Sequence, residues 1–255
     1  MRWRVEIIEP SGDDRLLRDV LAARSIRLYE EDGKLFLIGD PFEALEIGAQ
    51  VYELASRVQS IVTEIGQADS DILMTFQIGP VLEKLENGEL RRHLFLAARG
   101  SASSFATGAV SLAVERGKSL SEADRKRIEE EQKELAYQNK RRKAISRFVS
   151  AFIDKRALQV QRLLKKELTP QTMGHIAEVI QDDLGGAIRD LVSGNQLTRF
   201  SRSINHPSVF GELARHIISK EEPPPKPMSL DEARTFIRAL AAHWLENKAG
   251  LPPLR

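Results

Sequence analysis

Apolar and polar residues alternate at the start of the chain, with Trp3, Val5 and Ile7 on one side and Arg4 and Glu6 on the other, the period-two pattern of a half-buried strand. The stretch Ser11-Gly12-Asp13-Asp14 predicts a capping box that opens a helix carrying Leu16, Leu17, Val20 and Leu21. Two more strands are predicted over residues 26–29 and 35–38, joined by a tight turn at Asp32-Gly33, a pair that tolerates positive φ. Asp40-Pro41-Phe42-Glu43 reads as a helix start with Asp40 as its cap. From there Leu45, Ala49, Tyr52, Ala55, Val58 and Val62 form one apolar stripe running to about Ile65. Strands are expected again over 72–78 and 81–85, then over 90–98 after the two-residue hairpin signal Asn87-Gly88.

The period then changes. Residues 100–108 are rich in Ser, Ala and Gly and predict a loop, one that lacks the Gly-Lys-Ser/Thr of a phosphate loop. Ser119-Leu120-Ser121-Glu122 is a second capping box, and neither proline nor glycine follows until after Leu168, so long helices are expected. Their apolar stripe begins at Ile145 and includes Phe148, Val149, Phe152, Ile153, Val160, Leu163 and Leu164. Thr169-Pro170 starts another helix, Gly185-Gly186 ends or loosens it, and a further break falls near Ser193-Gly194. The prolines of 221–227 forbid a helix and predict an extended linker. Ser229-Leu230-Asp231-Glu232 then caps a last amphipathic helix carrying Ala233, Phe236, Ile237, Leu240 and Trp244, which Gly250 and Pro252-Pro253 stop. The whole reads as α+β: antiparallel strands with covering helices over residues 1–118, then a helical bundle over 119–255.

Composition adds mainly exclusions. The 255 residues are 42% hydrophobic, enough for a core, and 38 basic residues against 37 acidic ones leave a net +1, so global charge singles out no partner. The chain has no cysteine, which removes disulfides, thiol nucleophiles and thiolate metal sites. Glu6 and Pro10-Ser11-Gly12 interrupt the N-terminus too early for a secretory signal, and no apolar run approaches the roughly 20 residues that span a bilayer. A cytoplasmic protein without a membrane partner is expected. Dispersed histidines at 93, 175, 206, 216 and 243 predict no metal site, and no dinucleotide fingerprint or nucleophile elbow is present, so no cofactor is expected.

The segment with the most chemistry is Arg199-Phe200-Ser201-Arg202-Ser203-Ile204-Asn205-His206-Pro207, followed by Arg215-His216. Arginine grips phosphate in a bidentate fork and histidine transfers protons near neutral pH, a combination suited to metal-independent phosphodiester cleavage. In that reading His206 acts on a ribose 2′-hydroxyl, Arg199 or Arg202 holds the scissile phosphate, and Asn205, Arg215 and His216 contact the substrate. The spacing resembles the HEPN superfamily, helical bundles that often dimerise and include RNases of toxin and phage-defence systems. Their mark is an arginine, a spacer of four to six residues and a histidine near a helix end. Here Arg199 and His206 enclose six residues, and Phe200 stands where the family usually has a polar residue. The resemblance covers roughly residues 120–250 and implies RNA as substrate and a homodimer as the assembly. The pattern Phe-x-x-Ser-x-Asn-His-Pro, then Gly-x-x-Ala-Arg-His, a proline run and Pro-Met-Ser-Leu-Asp-Glu-Ala also resembles a family of uncharacterised bacterial proteins. The competing structural expectation is a helix-ending turn in which Asn205 and His206 cap backbone groups and Arg215 pairs with an acid of another helix.

A second feature is the basic tract opened by Lys140-Arg141-Arg142-Lys143. Residues 138–168 hold 10 bases and two acids, net +8, against −7 for the rest of the chain. Such asymmetry suits phosphate contacts to RNA or DNA. It equally suits a solvated helix face opposite Glu129, Glu130, Glu131 and Glu134. A non-enzymatic helical interaction protein, binding nucleic acid through residues 140–166, is therefore the alternative function.

Overall fold

The computed structural model describes residues 1–68, 72–95, 122–216 and 222–251. It is α+β, and the chain divides into two compact units, Met1–Ala144 and Ile145–Arg255. The sequence-based boundary at 118, the small-residue stretch 100–108 and the first three residues of the 119–122 box lie outside the described residues, as do 96–98 and Pro252-Pro253.

The first unit is built on a five-stranded antiparallel sheet in the order β2-β3-β1-β4-β5. Its strands are β1 (Trp3–Gly12), β2 (Ile26–Glu31), β3 (Lys34–Gly39), β4 (Met74–Lys84) and β5 (Leu90–His93). Alternation works as expected in the central strand: Trp3, Val5 and Ile7 are buried, and Val5 lies opposite Leu37 on one side and Val81 on the other. The turn between β2 and β3 has positive φ at both Asp32 and Gly33, matching the right-handed twist of the strands it joins.

Four expectations are corrected. Residues 72–78 and 81–85 do not form two strands. The strand β4 runs through Gly79-Pro80, and the register against β1 shifts between Val5 and Ile7, so the proline sits at an irregularity where no ladder N–H is needed. The β4–β5 connection is longer than two residues: Leu85 bonds to both Gly88 and Glu89, and Gly88 supplies the positive φ. Helix α1 (Asp14–Ala22) is capped by Asp13, which accepts the Leu16 N–H, while Ser11 remains in β1. Finally, Asp40 does not cap one long helix. It is the first residue of a single turn, α2 (Asp40–Glu43), and the long helix α3 (Gly48–Ala68) starts afresh. The break has a physical cause. The Trp3 indole takes the Leu45 carbonyl (2.9 Å), the Arg2 guanidinium takes that of Glu46 (2.9 Å), and the Glu43 carboxylate accepts the backbone N–H of Arg2 and Trp3. These bonds hold residues 43–46 against the start of the chain, off the path of one continuous helix. Beyond the break α3 buries Val51, Ala55, Val58, Ile61, Val62 and Ile65 and packs on β4 and β1.

Helix α4 (Glu122–Ile153) carries exposed i,i+4 ion pairs near its start and ends where Asp154 turns the chain into α5 (Lys155–Leu164). Ile153, expected in the buried stripe, is 50% exposed at that turn. The second unit continues with α6 (Pro170–Leu184), α7 (Ile188–Leu191), α8 (Gly194–Asn205), α9 (Pro207–Phe210) and α10 (Leu230–Lys248). Thr169 caps α6, Ser193 caps α8, and Ser229 with Glu232 closes a full capping box on α10. Its core gathers Val160, Met173, Ile176, Ile180, Phe200 and Ile204 around Ile237, Leu240 and Trp244 of α10. Among the described residues no helix is long and apolar enough to cross a membrane.

At the end of β3, Gly39 has φ 146°, and a Cβ there would lie 2.0 Å from the Ser25 carbonyl oxygen. Gly39→Ala is expected to destabilise the first unit by about 3 kcal/mol, since strain and a backbone clash add. A urea midpoint indistinguishable from wild type would refute this account of the β2–β3 junction.

Candidate functional site

The arginine and histidine segment forms α8 and the turn after it, so its chemistry is set by where that helix packs. Phe200, Ser203 and Ile204 are buried, which turns Arg199 and Arg202 toward other surfaces. Arg199 is half-exposed and directed at the segment preceding α10. Its Nε donates to the Lys226 carbonyl (2.6 Å), and its terminal nitrogen reaches the Pro227 carbonyl (3.2 Å) and the Glu232 carboxylate (3.4 Å). One turn further on, the Ser203 hydroxyl donates to the Arg199 carbonyl and accepts the Met228 N–H at 2.9 Å. Two positions of α8 therefore fasten the proline-containing strap. The Glu232 carboxylate is held below its ordinary value by the Ser229 N–H and by the Arg199 charge.

His206 joins α8 to α9. Its Nδ1 accepts the Ser208 backbone N–H (3.2 Å), with the Ser208 hydroxyl at 2.8 Å, so the neutral ring carries its proton on Nε2. Asn205 offers its amide to the Ser201 hydroxyl at 3.4 Å, while its buried Oδ1 meets no hydrogen-bond partner among the described residues. Arg215 pairs with Glu178 of α6, its backbone N–H bonds the Ile204 carbonyl (2.9 Å), and its side chain lies across Gly174. A Cβ at Gly174 would come within 2.7 Å of the Arg215 Cδ, so the glycine makes room for that crossing. His216 and Arg202 are exposed. His206 lies seven positions after Arg199, about 10 Å along a helix axis, and the Arg199 guanidinium points to the strap. Arg202 and His206, four apart, are one turn from each other.

Beside Arg199 the strap and α10 leave an open groove of about 540 Å³. Its lining includes Gln196 and Arg199 of α8, the buried Met228, and Asp231, Thr235 and Phe236 of α10. Phe236 is tilted against Phe200 with ring centroids 4.8 Å apart.

Several bases of the tract are paired within the fold. In the first unit Lys140 pairs with Asp13 (3.1 Å) and Arg141 with Asp19 (2.7 Å), and the Tyr137 hydroxyl also donates to Asp19 (2.8 Å). Arg15 lies over the Tyr137 ring at 3.8 Å. Burial, then the Asp19 hydrogen bond and charge, push the Tyr137 phenol up to about 12. Arg142 is half-buried and Lys143 exposed. Lys140 and Arg141 are thus answered by Asp13, the cap of α1, and by Asp19 within it.

In the second unit Lys248 bridges Asp154 (2.6 Å) and Asp183 (2.9 Å), Arg156 reaches Asp183 at 2.7 Å, and the Trp244 indole donates to Asp183 at 2.8 Å. Asp183 is a nearly buried junction of three helices, whereas its neighbour Asp182 is exposed. Asp154 caps α5, and nothing in the local pattern marked it as a cap or Lys248 as its partner.

Burial pushes Asp154 and Asp183 up, but hydrogen bonds to both from Lys248, to Asp154 from the Arg156 N–H and to Asp183 from Trp244, outweigh it. Both carboxyls sit below the ordinary 3.8. A carboxyl depressed in the folded state stabilises the fold above its unfolded value and loses that contribution as pH falls through the folded one. Second-unit stability is therefore expected to be level from about pH 7 to 5 and to drop below about pH 4. Lys248→Met should cost about 2–4 kcal/mol at neutral pH and flatten that acid limb. Urea unfolding followed by Trp244 fluorescence in a Trp3→Phe background reads both effects. An unchanged acid limb would remove the triad from the explanation.

Separately, Arg199→Ala should cost about 1–2 kcal/mol by leaving the strap carbonyls unpaired, and Arg199→Lys should recover little because an ammonium cannot span three acceptors. Hydrogen exchange at Met228 and in the first turn of α10 is the direct readout. No acceleration there would show that the strap holds without its arginine.

Compared with known family models, curated proteins and solved structures, the chain matches none.

Proposed function

We propose that this chain acts by binding, as a non-enzymatic helical interaction protein, with the groove between α8 and α10 as its contact surface. The observation that carries this reading is the groove's construction: an open concavity of about 540 Å³ whose lining joins Met228 and Phe236 with Gln196, Arg199 and Asp231. The commitments of nearby groups support it. Arg199 is spent on the strap carbonyls, His206 accepts a backbone N–H, and Arg215 is paired with Glu178. A group that must grip or deprotonate a substrate has to be able to leave its resting partners, and each of these has a structural task. The pairing of Lys140 and Arg141 with Asp13 and Asp19 likewise leaves fewer cations for phosphate contacts than the sequence count suggests.

A second reading keeps the metal-independent RNase chemistry of the HEPN resemblance. It is favoured by one observation: Arg202 is exposed one turn from His206, whose Nδ1 is anchored so that Nε2 carries the ring proton. In this version Arg202 holds the phosphate and Arg199 does not.

Mixed cellular RNA incubated with the wild-type chain and His206→Ala, with chelator and across a salt series, separates the two. The binding reading expects intact RNA and no retention that falls steeply with salt. Fragments ending in 2′,3′-cyclic phosphate from wild type, absent with His206→Ala, would overturn it in favour of the RNase. Salt-sensitive retention without cleavage would overturn it in favour of nucleic-acid binding.

A further inference from the structure

The sheet of the first unit ends on β2, and among the described residues no strand pairs with its outer side. The two-residue turn Asp32-Gly33 closes on Glu31 and Lys34, which makes theirs a hydrogen-bonded pair, and the two kinds of pair alternate from there. Arg27, Tyr29 and Glu31 therefore spend their backbone groups on β3, while those of Ile26, Leu28 and Glu30 point away from the sheet. In keeping with this, the Leu28 carbonyl accepts from the Arg18 guanidinium (3.2 Å) rather than from a strand. The side chains of Arg27, Tyr29 and Glu31 share one face. On that face the Tyr29 hydroxyl donates to Glu31 (3.3 Å), and Arg4 pairs with Glu31 and lies over the Tyr29 ring at 5.6 Å. Tyr29 is 38% exposed, and Arg27 and Glu30 are exposed.

Charge on an edge strand usually keeps a second strand away. On β2 the charges are antisymmetric about Tyr29, with Arg27 two places before it and Glu31 two places after. We propose that this chain forms a two-fold dimer in which the β2 edges of two copies join their sheets, with Tyr29 on the dyad. A dyad perpendicular to the sheet keeps every side chain on its own face, so only registers centred on a residue are available. Centring on Tyr29 sets Arg27 against the partner's Glu31, Glu31 against the partner's Arg27, and the two Tyr29 rings against each other. These are non-hydrogen-bonded positions, where opposed Cα atoms lie about 4.5 Å apart and side chains meet most closely. Between them Leu28 and the partner's Glu30 exchange both backbone bonds, Arg18 yielding the Leu28 carbonyl to the partner's Glu30 N–H. Centring on Leu28 instead leaves Glu31 opposite no residue of the strand, and centring on Glu30 sets two glutamates face to face. The opposite edge cannot pair with itself in the same way. In β5, Arg91 and Arg92 are consecutive, and centring on either sets arginine against arginine. The dimer is independent of the groove between α8 and α10, which belongs to the second unit.

Sedimentation equilibrium of the full chain over a concentration series is the test, and the expected mass rises to two copies and no further. Glu30→Pro removes an N–H that points away from β3, so the fold keeps its ladder while the dimer loses bonds on both sides of the dyad. It should leave the chain monomeric. Arg27→Glu and Glu31→Lys, each alone, turn two attractions into repulsions and should weaken the dimer about thirtyfold. An equimolar mixture of those two variants should recover the wild-type affinity as a heterodimer, because both opposed positions again carry opposite charges. Monomer at every concentration, a dimer indifferent to Glu30→Pro, or variants that mix without recovery would each overturn the proposal. A mass that climbs past two copies would do so as well, since it means that the acids of β2 meet Arg91 and Arg92 of the next copy in an open-ended sheet. Circular dichroism of each variant separates lost association from lost fold.

Discussion

A charge brought against a packed interior costs several kcal/mol unless an opposite charge or a set of hydrogen bonds receives it, and that constraint governs the junctions of both units. In the helical unit the ends of α5, α6 and α10 meet where Lys248 and Arg156 are received by Asp154 and Asp183. Apolar packing against α10 is non-directional, whereas hydrogen bonds and ion pairs require particular atoms to meet. A lysine between two carboxylates imposes that requirement. In the sheet unit the same constraint places α4, whose Tyr137, Lys140 and Arg141 find Asp13, the cap of α1, and Asp19 within it.

Carbonyl groups impose the matching requirement. Where a helix was predicted to run unbroken from Asp40, the segment between α2 and α3 is instead tied to the start of the chain, Trp3 and Arg2 donating to the Leu45 and Glu46 carbonyls. The proline strap, poor in donors, is held because Arg199 supplies the donors it lacks. Arg199 thus answers a structural need created by the prolines some 27 residues later in the chain. The residue that looked most like a phosphate ligand by spacing is a fastener by geometry.

This division bears on function. Side chains with chemical potential are abundant in the second unit, but Arg199, His206, Arg215, Asp154, Asp183 and Lys248 each satisfy another group of the fold. The groove between α8 and α10 is open, and Arg202 is exposed one turn from His206. The proposed binding role rests on the first, and the narrower RNase proposal on the second.

Local signals in the sequence determined a great deal. Alternation in β1, Asp-Gly between β2 and β3, Thr169-Pro170, Ser193 and the Ser229/Glu232 box were all legible, because each depends on a residue's own backbone preference or on partners within four positions. The α+β class follows from the switch of period along the chain. The expectation that Arg215 pairs with an acid of another helix also held, though not which acid. Tertiary structure alone decided the break before α3, the unbroken passage of β4 through Gly79-Pro80, the burial of Asp183, the destination of Arg199 and the fate of the basic tract. Each of these turns on partners at least 27 residues away or in another strand. A charged or hydrogen-bonding side chain advertises what it can bind, but only folding chooses among the many partners of equal chemistry.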